Sequence, residues 1–418
     1  MDNLTHTLIG ALVGEAAAAR SSQAGGGLTN LDRRKLFVPA MAIGSNLPDL
    51  DLLYTTFTGS KLDYLLHHRG HTHTFVGALV LSALLWLGCQ WWIKRRKLTL
   101  SRADRLVLLG VTLFAPVLHI LMDLTNNYGV HPWWPFDNHW IYGDSVFIIE
   151  PLLWAACAPL VFVVQSRLAR RLLWLILAAG VVLTFLTGMV PWPFATTYTV
   201  AAIALALIGK RFSQSAAIAT GIATWLTVTL VFVSGSRLAH ARSDTISAQL
   251  FPDARLLDRV VTPMPVNPIC WEVIFVHKET DVLVLRRSML SLWPAALPAG
   301  TCPDRSLDMP ITAPLEPVPA ASDDDIQWHG QVRSHVAAIA ELWGESCQVD
   351  ALMRFARAPW FAEVAGDLVM GDLRYDREPE LGFADIKLGP DGERCPVFGA
   401  PWIPPRQDLV GPPSSSGK

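Results

Sequence analysis

Residues 106–123, LVLLGVTLFAPVLHILMD, decide the fold. Leu106 to Leu118 carry no charge, and an uninterrupted apolar helix of about 20 residues crosses a hydrocarbon core of about 30 Å. The run closes on His119 and Asp123, four apart and so on one helical face. Ionisable groups at that depth are costly in lipid and point to function.

Working outward, comparable apolar runs occur near 75–93, 146–165, 172–190 and 215–236, with a shorter one near 195–209. Residues 4–19, with Gly10 and Gly14, and 36–53, ending in Asn46, Pro48, Asp49 and Asp51, are expected to be helices packed inside the bundle, because small residues permit close helix contact. The expected fold is an all-α polytopic membrane bundle of about eight helices (residues 1–236), followed by a smaller α+β extracytoplasmic domain (237–418). Composition supports the division: residues 1–236 hold 17 Lys/Arg and 11 Asp/Glu, whereas 237–418 hold 17 and 25. An overall charged fraction of 17% with mean hydropathy +0.33 makes an ordinary soluble enzyme a poor description. No cleavable signal peptide is read, since Asp2 replaces a basic n-region and Glu15 interrupts the first apolar run.

Basic loops mark the cytoplasmic side. Residues 94–105 hold six Lys/Arg, and Arg33–Lys35, Arg167–Arg171 and Lys210–Arg211 fall on the same side by alternation. Residues 54–74, 123–145 and everything after about 237 are then placed outside, which in a bacterial inner membrane is the periplasm. Trp133, Trp134 and Trp140 read as interfacial anchors.

Eight of the twelve histidines precede residue 140, and with Asp49, Asp51, Asp123, Asp137, Asp144 and Glu150 they collect at outer helix ends or outer loops. Imidazole with carboxylate suits zinc, manganese or iron, and no Cys-x-x-Cys pair offers a thiolate site. Asp63, Asp144 and Glu150 receive no role, and Asp137 with His139 reads as a solvated turn.

The opening MDNLTHTLIGALVGEA, the NLPDLD segment, HHRGHTH (67–73) and the His119-x-x-x-Asp123 helix together resemble the YdjM-like family of membrane-bound, predicted metal-dependent hydrolases. Motif by motif, the resemblance implies His6, Asp49, His68, His73, His119 and Asp123 as metal ligands, with Thr5 and Thr72 as motif partners; His67 and His71 lie outside the pattern. A more distant similarity runs to zinc-dependent phospholipases C and single-strand-specific zinc nucleases. There His131 also fits the ligand order, but the final His-x-x-x-Glu/Asp pair is missing, so one or two ions are expected rather than three. Asp51 is the candidate base and Arg69 the candidate oxyanion-binding group. The resemblance implies hydrolysis of a phosphoester, and a site built on membrane helices leads to the expectation of a membrane lipid or lipid-linked substrate reached from within the bilayer. The competing classes are a metal-ion or proton transporter and a non-catalytic membrane scaffold.

In the tail, CWEVIFVHKE and TDVLVLRRSML read as paired strands turning at Glu279–Asp281. Residues 303–325 read as a Pro-rich loop, 332–357 as helical, FAEVAGDLVMGDLRYD as short strands, and GPPSSSGK as disordered. Cys270, Cys302, Cys347 and Cys395 allow up to two disulfides in three pairings, or free buried thiols. A tail charge of 17 minus 25 argues against nucleic acid as a partner.

Overall fold

The computed structural model describes residues 1–25, 27–303 and 311–409. Helix α1 (Asn3–Gln23) starts at Asp2, whose carboxylate accepts the Thr5 amide, and packs against α2 (Asn30–Gly44). The contact is as close as Gly10 and Gly14 suggest: a Cβ on Gly10 would lie 3.0 Å from the Met41 carbonyl oxygen, and one on Gly14 2.7 Å from Val38 Cα. The second helix ends at Gly44 rather than near residue 53. A 3-10 turn, Pro48–Leu50, follows, because Pro48 has no N–H to continue the helical ladder. Short helices α3 (Asp51–Thr58) and α4 (Lys61–His67) and a second 3-10 turn, His71–His73, lead into the long helices.

Among the described residues, five helices are long and apolar enough to cross a membrane: α5 (Phe75–Arg96), α6 (Arg102–Asp123), α9 (Arg167–Leu186), α10 (Trp192–Arg211) and α11 (Gln214–Leu250). The run at 146–165 is not among them. It forms two short helices, α7 (Pro151–Ala155) and α8 (Leu160–Val163). Pro151 opens the first at its N1 position, and Pro159 cannot donate to the turn between them. Leu153 to Val161 are nonetheless almost fully buried, so the broken backbone is shielded from lipid by the surrounding helices. This is an integral membrane protein.

Helix α11 has 37 residues, roughly 55 Å at 1.5 Å per residue, well beyond the hydrocarbon thickness. It runs without a break through positions 236 and 237, so the compositional boundary falls inside a continuous helix. Its last turns carry the C-terminal region by packing on β1 (Arg255–Met264) and β2 (Asn267–Glu279). These strands form an antiparallel sheet, in the order β1-β2-β3-β4, with β3 (Val282–Ser291) and β4 (Ile326–His335). The hairpin at 279–282 pairs Glu279 with Val282, as the sequence suggests. Residues 332–335 belong to β4, and helix begins only with α12 (Val336–Glu345) and α13 (Cys347–Met353). The early part of the expected helix is strand because Val332 pairs with Leu285 and is buried against the sheet core.

A second antiparallel sheet comprises β5 (Pro359–Val364), β6 (Asp367–Asp372) and β7 (Ile386–Lys387). Cysteines pair as Cys270–Cys302 and Cys347–Cys395, with Cα separations of 5.9 and 5.7 Å. Residues 304–310 of the Pro-rich loop and the terminal GPPSSSGK lie outside the described residues.

The C-terminal region caps one end of the helices through residues the sequence left unassigned. Asp144 accepts Arg357 Nη1 at 2.7 Å, Glu150 accepts the Val266 amide at 3.1 Å, and Asp63 accepts the Val397 amide at 3.1 Å. Trp140 is buried here against Phe355 and donates to the Arg354 carbonyl, so it is an interdomain contact rather than an interfacial anchor. Trp133, with neighbouring Phe136, does remain exposed. The basic segments meet at the opposite end of the bundle, where Arg33, Arg34, Gln165 and Ser213 line one polar hollow.

Candidate metal centre

At the capped end, α6 presents His119 and Asp123 on one face, and the 3-10 turns at 48–50 and 71–73 bring Asp49 and His73 against them. These four side chains form a group able to hold a metal ion, and none is more than 8% exposed. The distances among their donor atoms are specific. His73 Nε2 and His119 Nε2 are 3.0 Å apart. Asp49 Oδ1 is 3.3 Å from the first and 3.4 Å from the second, and Asp123 Oδ2 is 3.3 Å from each. Ligands at 2.0–2.1 Å around a tetrahedral zinc ion lie about 3.3–3.4 Å from one another.

Neighbouring groups assign the tautomers. His119 Nδ1 donates to the Ser45 carbonyl at 2.7 Å, leaving its Nε2 with a lone pair. His73 Nδ1 faces Thr72 Oγ1 at 3.1 Å and Asp51 Oδ2 at 3.3 Å, and Thr72 donates its own hydroxyl hydrogen to Asp51, so the ring nitrogen is the donor there too. Two imidazole nitrogens and two carboxylate oxygens therefore converge on one buried point. Asp123 Oδ2 makes no hydrogen bond in the structure, although it is fully buried. The donor set fits a divalent ion.

Surrounding residues hold this set in place. Asp51 accepts the Arg69 amide at 2.9 Å, Thr72 Oγ1 at 2.9 Å and His68 Nδ1 at 3.1 Å, which ties the HHRGHTH turn to α3. Burial opposes ionisation of Asp51, but hydrogen bonds from His68 and His73 outweigh it and hold the carboxyl below its usual range. Arg69 adopts φ 62°, a left-handed conformation rare for a residue with a side chain. Its amide bond to Asp51, and its guanidinium contacts with Asn126 (2.8 Å) and Asp123 Oδ2 (3.1 Å), hold it there. His6 lies 3.2 Å from Asp123 Oδ1 and stacks on His119 with ring centroids 3.8 Å apart. The Met1 amine also contacts Asp123 Oδ1.

The sequence candidates are thus sorted by position. Asp49, His73, His119 and Asp123 supply the four converging atoms, while His6 touches Asp123 from outside that set. His68, with Asp49 and Asp51, forms a second, more exposed group able to hold an ion. Arg69 borders the cluster through Asp123. His131 lies apart, stacked on Trp402 at 3.7 Å, and His67 and His71 face the C-terminal segment through Phe398 and Trp402. Asp137 and His139 pair with each other on the surface. Ser45, Asn126 and Tyr128, whose ring lies 4.6 Å from the Arg69 guanidinium, were not legible as site residues. Ser45 contributes only a backbone carbonyl, which no side-chain pattern marks. A cleft of about 470 Å³, lined by Leu50, Asp51, Tyr54, Thr72 and Phe398 among others, reaches the cluster at Asp51.

Residues 1–192 match the family model described as YdjM inner membrane protein, the segment that contains the whole cluster. The chain is also similar to the uncharacterized protein YfhP of Bacillus subtilis (strain 168), at 27% identity over 186 residues, 42% of this chain and 46% of that protein. The match therefore spans under half the length of this relative. No solved structure matches.

Proposed function

We propose that the protein is a membrane-bound metal-dependent hydrolase acting on a phosphoester carried by a membrane amphiphile. The observation that carries this reading is the set of four buried donor atoms, 3.0 to 3.4 Å apart, at the end of a transmembrane helix. Asp49, His73, His119 and Asp123 would hold the ion, zinc being favoured by two nitrogens and two oxygens in four-coordinate spacing, with manganese or iron also compatible. Held there, a divalent ion would supply Lewis acidity toward a phosphoryl oxygen and would acidify water. The Asp49, Asp51 and His68 group offers a place for a second ion.

The chain's own residues do the remainder. Asp51 orients His73 and, with His68, forms the proton-accepting pair on the exposed edge of the cluster. Water gives its proton to that pair, its oxygen attacks phosphorus, the ester P–O bond breaks, and the departing alkoxide takes that proton back from the pair. Arg69 neutralises charge gathering beside Asp123. The positive-inside distribution of Lys and Arg supports placing this end, with its C-terminal cap, on the periplasmic side of the inner membrane. That cap narrows access to the cleft beside Asp51.

The test is metal analysis of detergent-purified full-length protein, wild type beside His119→Ala, followed by phosphoester turnover. About one bound ion, absent from the variant together with turnover, is expected. Equal metal content in both, or turnover that survives chelation, would overturn the proposal.

A further inference from the structure

The amino acids around the 3-10 turn alternate in character as Leu47, Pro48, Asp49, Leu50, Asp51. Asp49 and Asp51 face the histidines, whereas Leu47 and Leu50 face a groove of about 550 Å³ between α2 and α5. Its walls are almost wholly apolar, including Pro39, Ile43, Leu84 and Trp91, and it runs toward Lys35 at the basic end of the bundle. From Gly44, where α2 ends, back to Lys35 is roughly 14 Å at helical rise, close to half of a hydrocarbon core about 30 Å thick. Leu50 also lines the cleft at Asp51, so the apolar groove and the polar cleft meet at one residue.

We propose that this groove receives one hydrocarbon chain of the substrate, and that the substrate is a phospholipid-like amphiphile whose phosphate crosses the 48–50 turn to the cluster. The inference rests on the hydrolase reading for its chemistry, but on the groove alone for its binding. The groove is long and narrow between two helices and lined by Pro39, Ile43, Leu84 and Trp91, a surface suited to a hydrocarbon chain. Hydrocarbon chain and surrounding lipid are equally apolar, so the groove positions the chain by shape, and the gain lies in orienting the headgroup. A lateral path in the bilayer also explains how substrate enters a site whose aqueous face is capped by the C-terminal region.

Gly88 of α5 makes the proposal testable. It lies on the groove, and a Cβ there meets open space, so a large side chain fills the groove without disturbing the bundle. Gly110 of α6 is equally open, faces away from the groove, and serves as control. The full-length protein is reconstituted in phosphatidylcholine vesicles containing a phosphatidic acid with a diazirine in one acyl chain, and photocrosslinks are mapped by mass spectrometry. Crosslinks should concentrate on Pro39–Leu47 and Leu84–Trp91 and fall at least tenfold in Gly88→Phe, the factor that corresponds to about 1.4 kcal/mol. Gly110→Phe should change nothing. Crosslinks spread evenly over the lipid-facing helices, or unaltered by Gly88→Phe, would overturn the groove assignment.

Turnover separates the two readings. A hexadecyl phosphodiester of p-nitrophenol should be cleaved at least tenfold faster than its methyl analogue, and Gly88→Phe should erase that preference with the metal content unchanged. Hydrolysis of neither ester, with crosslinks confined to the groove, sinks the hydrolase reading and retains the groove. Equal hydrolysis of both, with dispersed crosslinks, does the reverse.

Discussion

Replacing Gly10 by alanine should weaken metal binding without touching a ligand. The added Cβ would lie 2.9 Å from Ser45 Oγ, 3.0 Å from the Met41 carbonyl oxygen and 3.1 Å from Ala42 Cα. Two of these three neighbours are backbone atoms, so the C-terminal end of α2 must move by several tenths of an ångström. Such overpacking typically costs about 1–3 kcal/mol of stability. The displaced end carries the Ser45 carbonyl, which accepts His119 Nδ1 at 2.7 Å and fixes the lone pair on Nε2. Loss of a group that orients a metal-bound imidazole lowers affinity about 10–100-fold, or roughly 1.4–2.7 kcal/mol. The assay is competition against a zinc chelator in detergent, with thermal unfolding of the apoprotein in parallel. Gly88→Ala, which meets open space, is the control. Wild-type metal affinity in Gly10→Ala despite a lowered Tm would refute the link from helix contact to tautomer to metal.

Asp51→Asn should reduce metal affinity about 10–100-fold while keeping the fold, because it loses the anion that orients His73; the same chelator competition reads this out, and an unchanged affinity would remove Asp51 from that role. Glu272 is desolvated, but Arg377 and Arg287 hold its pKa down to about 2, so its stabilising contribution is complete above the unfolded value near 4.5 and disappears as pH falls toward 2. Glu272→Gln should flatten that acid limb and destabilise at neutral pH by about 3–5 kcal/mol, since the buried Arg287 loses its carboxylate partner. Asp385 behaves oppositely: burial, with Asp376 nearby, raises its pKa to about 7, so the folded state loses stability as pH climbs from about 4 to 7. Asp385→Asn should therefore raise Tm at pH 8 and leave it unchanged at pH 4; a Tm gain of equal size at both would show that ionisation is not the cause.

Much of the membrane region was legible because lipid imposes simple rules on sequence. Apolar runs at 75–93, 106–122, 172–190, 195–209 and 215–236 coincide with helices, since no other element satisfies its own backbone in hydrocarbon. The run at 146–165 misled for the same reason: hydropathy records burial away from water, and Leu153 to Val161 are buried by protein rather than by lipid. The helix expected at 332–357 starts late because pairing of β4 with β3 overrides local preference at Val332. Motif order brought out Asp49, His73, His119 and Asp123, whereas Asp63, Asp144 and Glu150 made no pattern because their partners lie more than 100 residues away in the C-terminal region.

The sequence by itself determined that the chain enters a membrane, where its five long apolar helices lie, and that its scarce histidines and acids gather at one end. These follow from the cost of charge in hydrocarbon, a property of each residue where it stands. The tertiary structure alone decided which of those residues share a point in space, that Ser45 and Asp51 set the protons on His119 and His73, and that Cys270 pairs with Cys302 and Cys347 with Cys395. Convergence of four donors within 3.4 Å depends on two 3-10 turns, one opened by Pro48 and one following Gly70, meeting one helix face, and no single segment of chain encodes that distance.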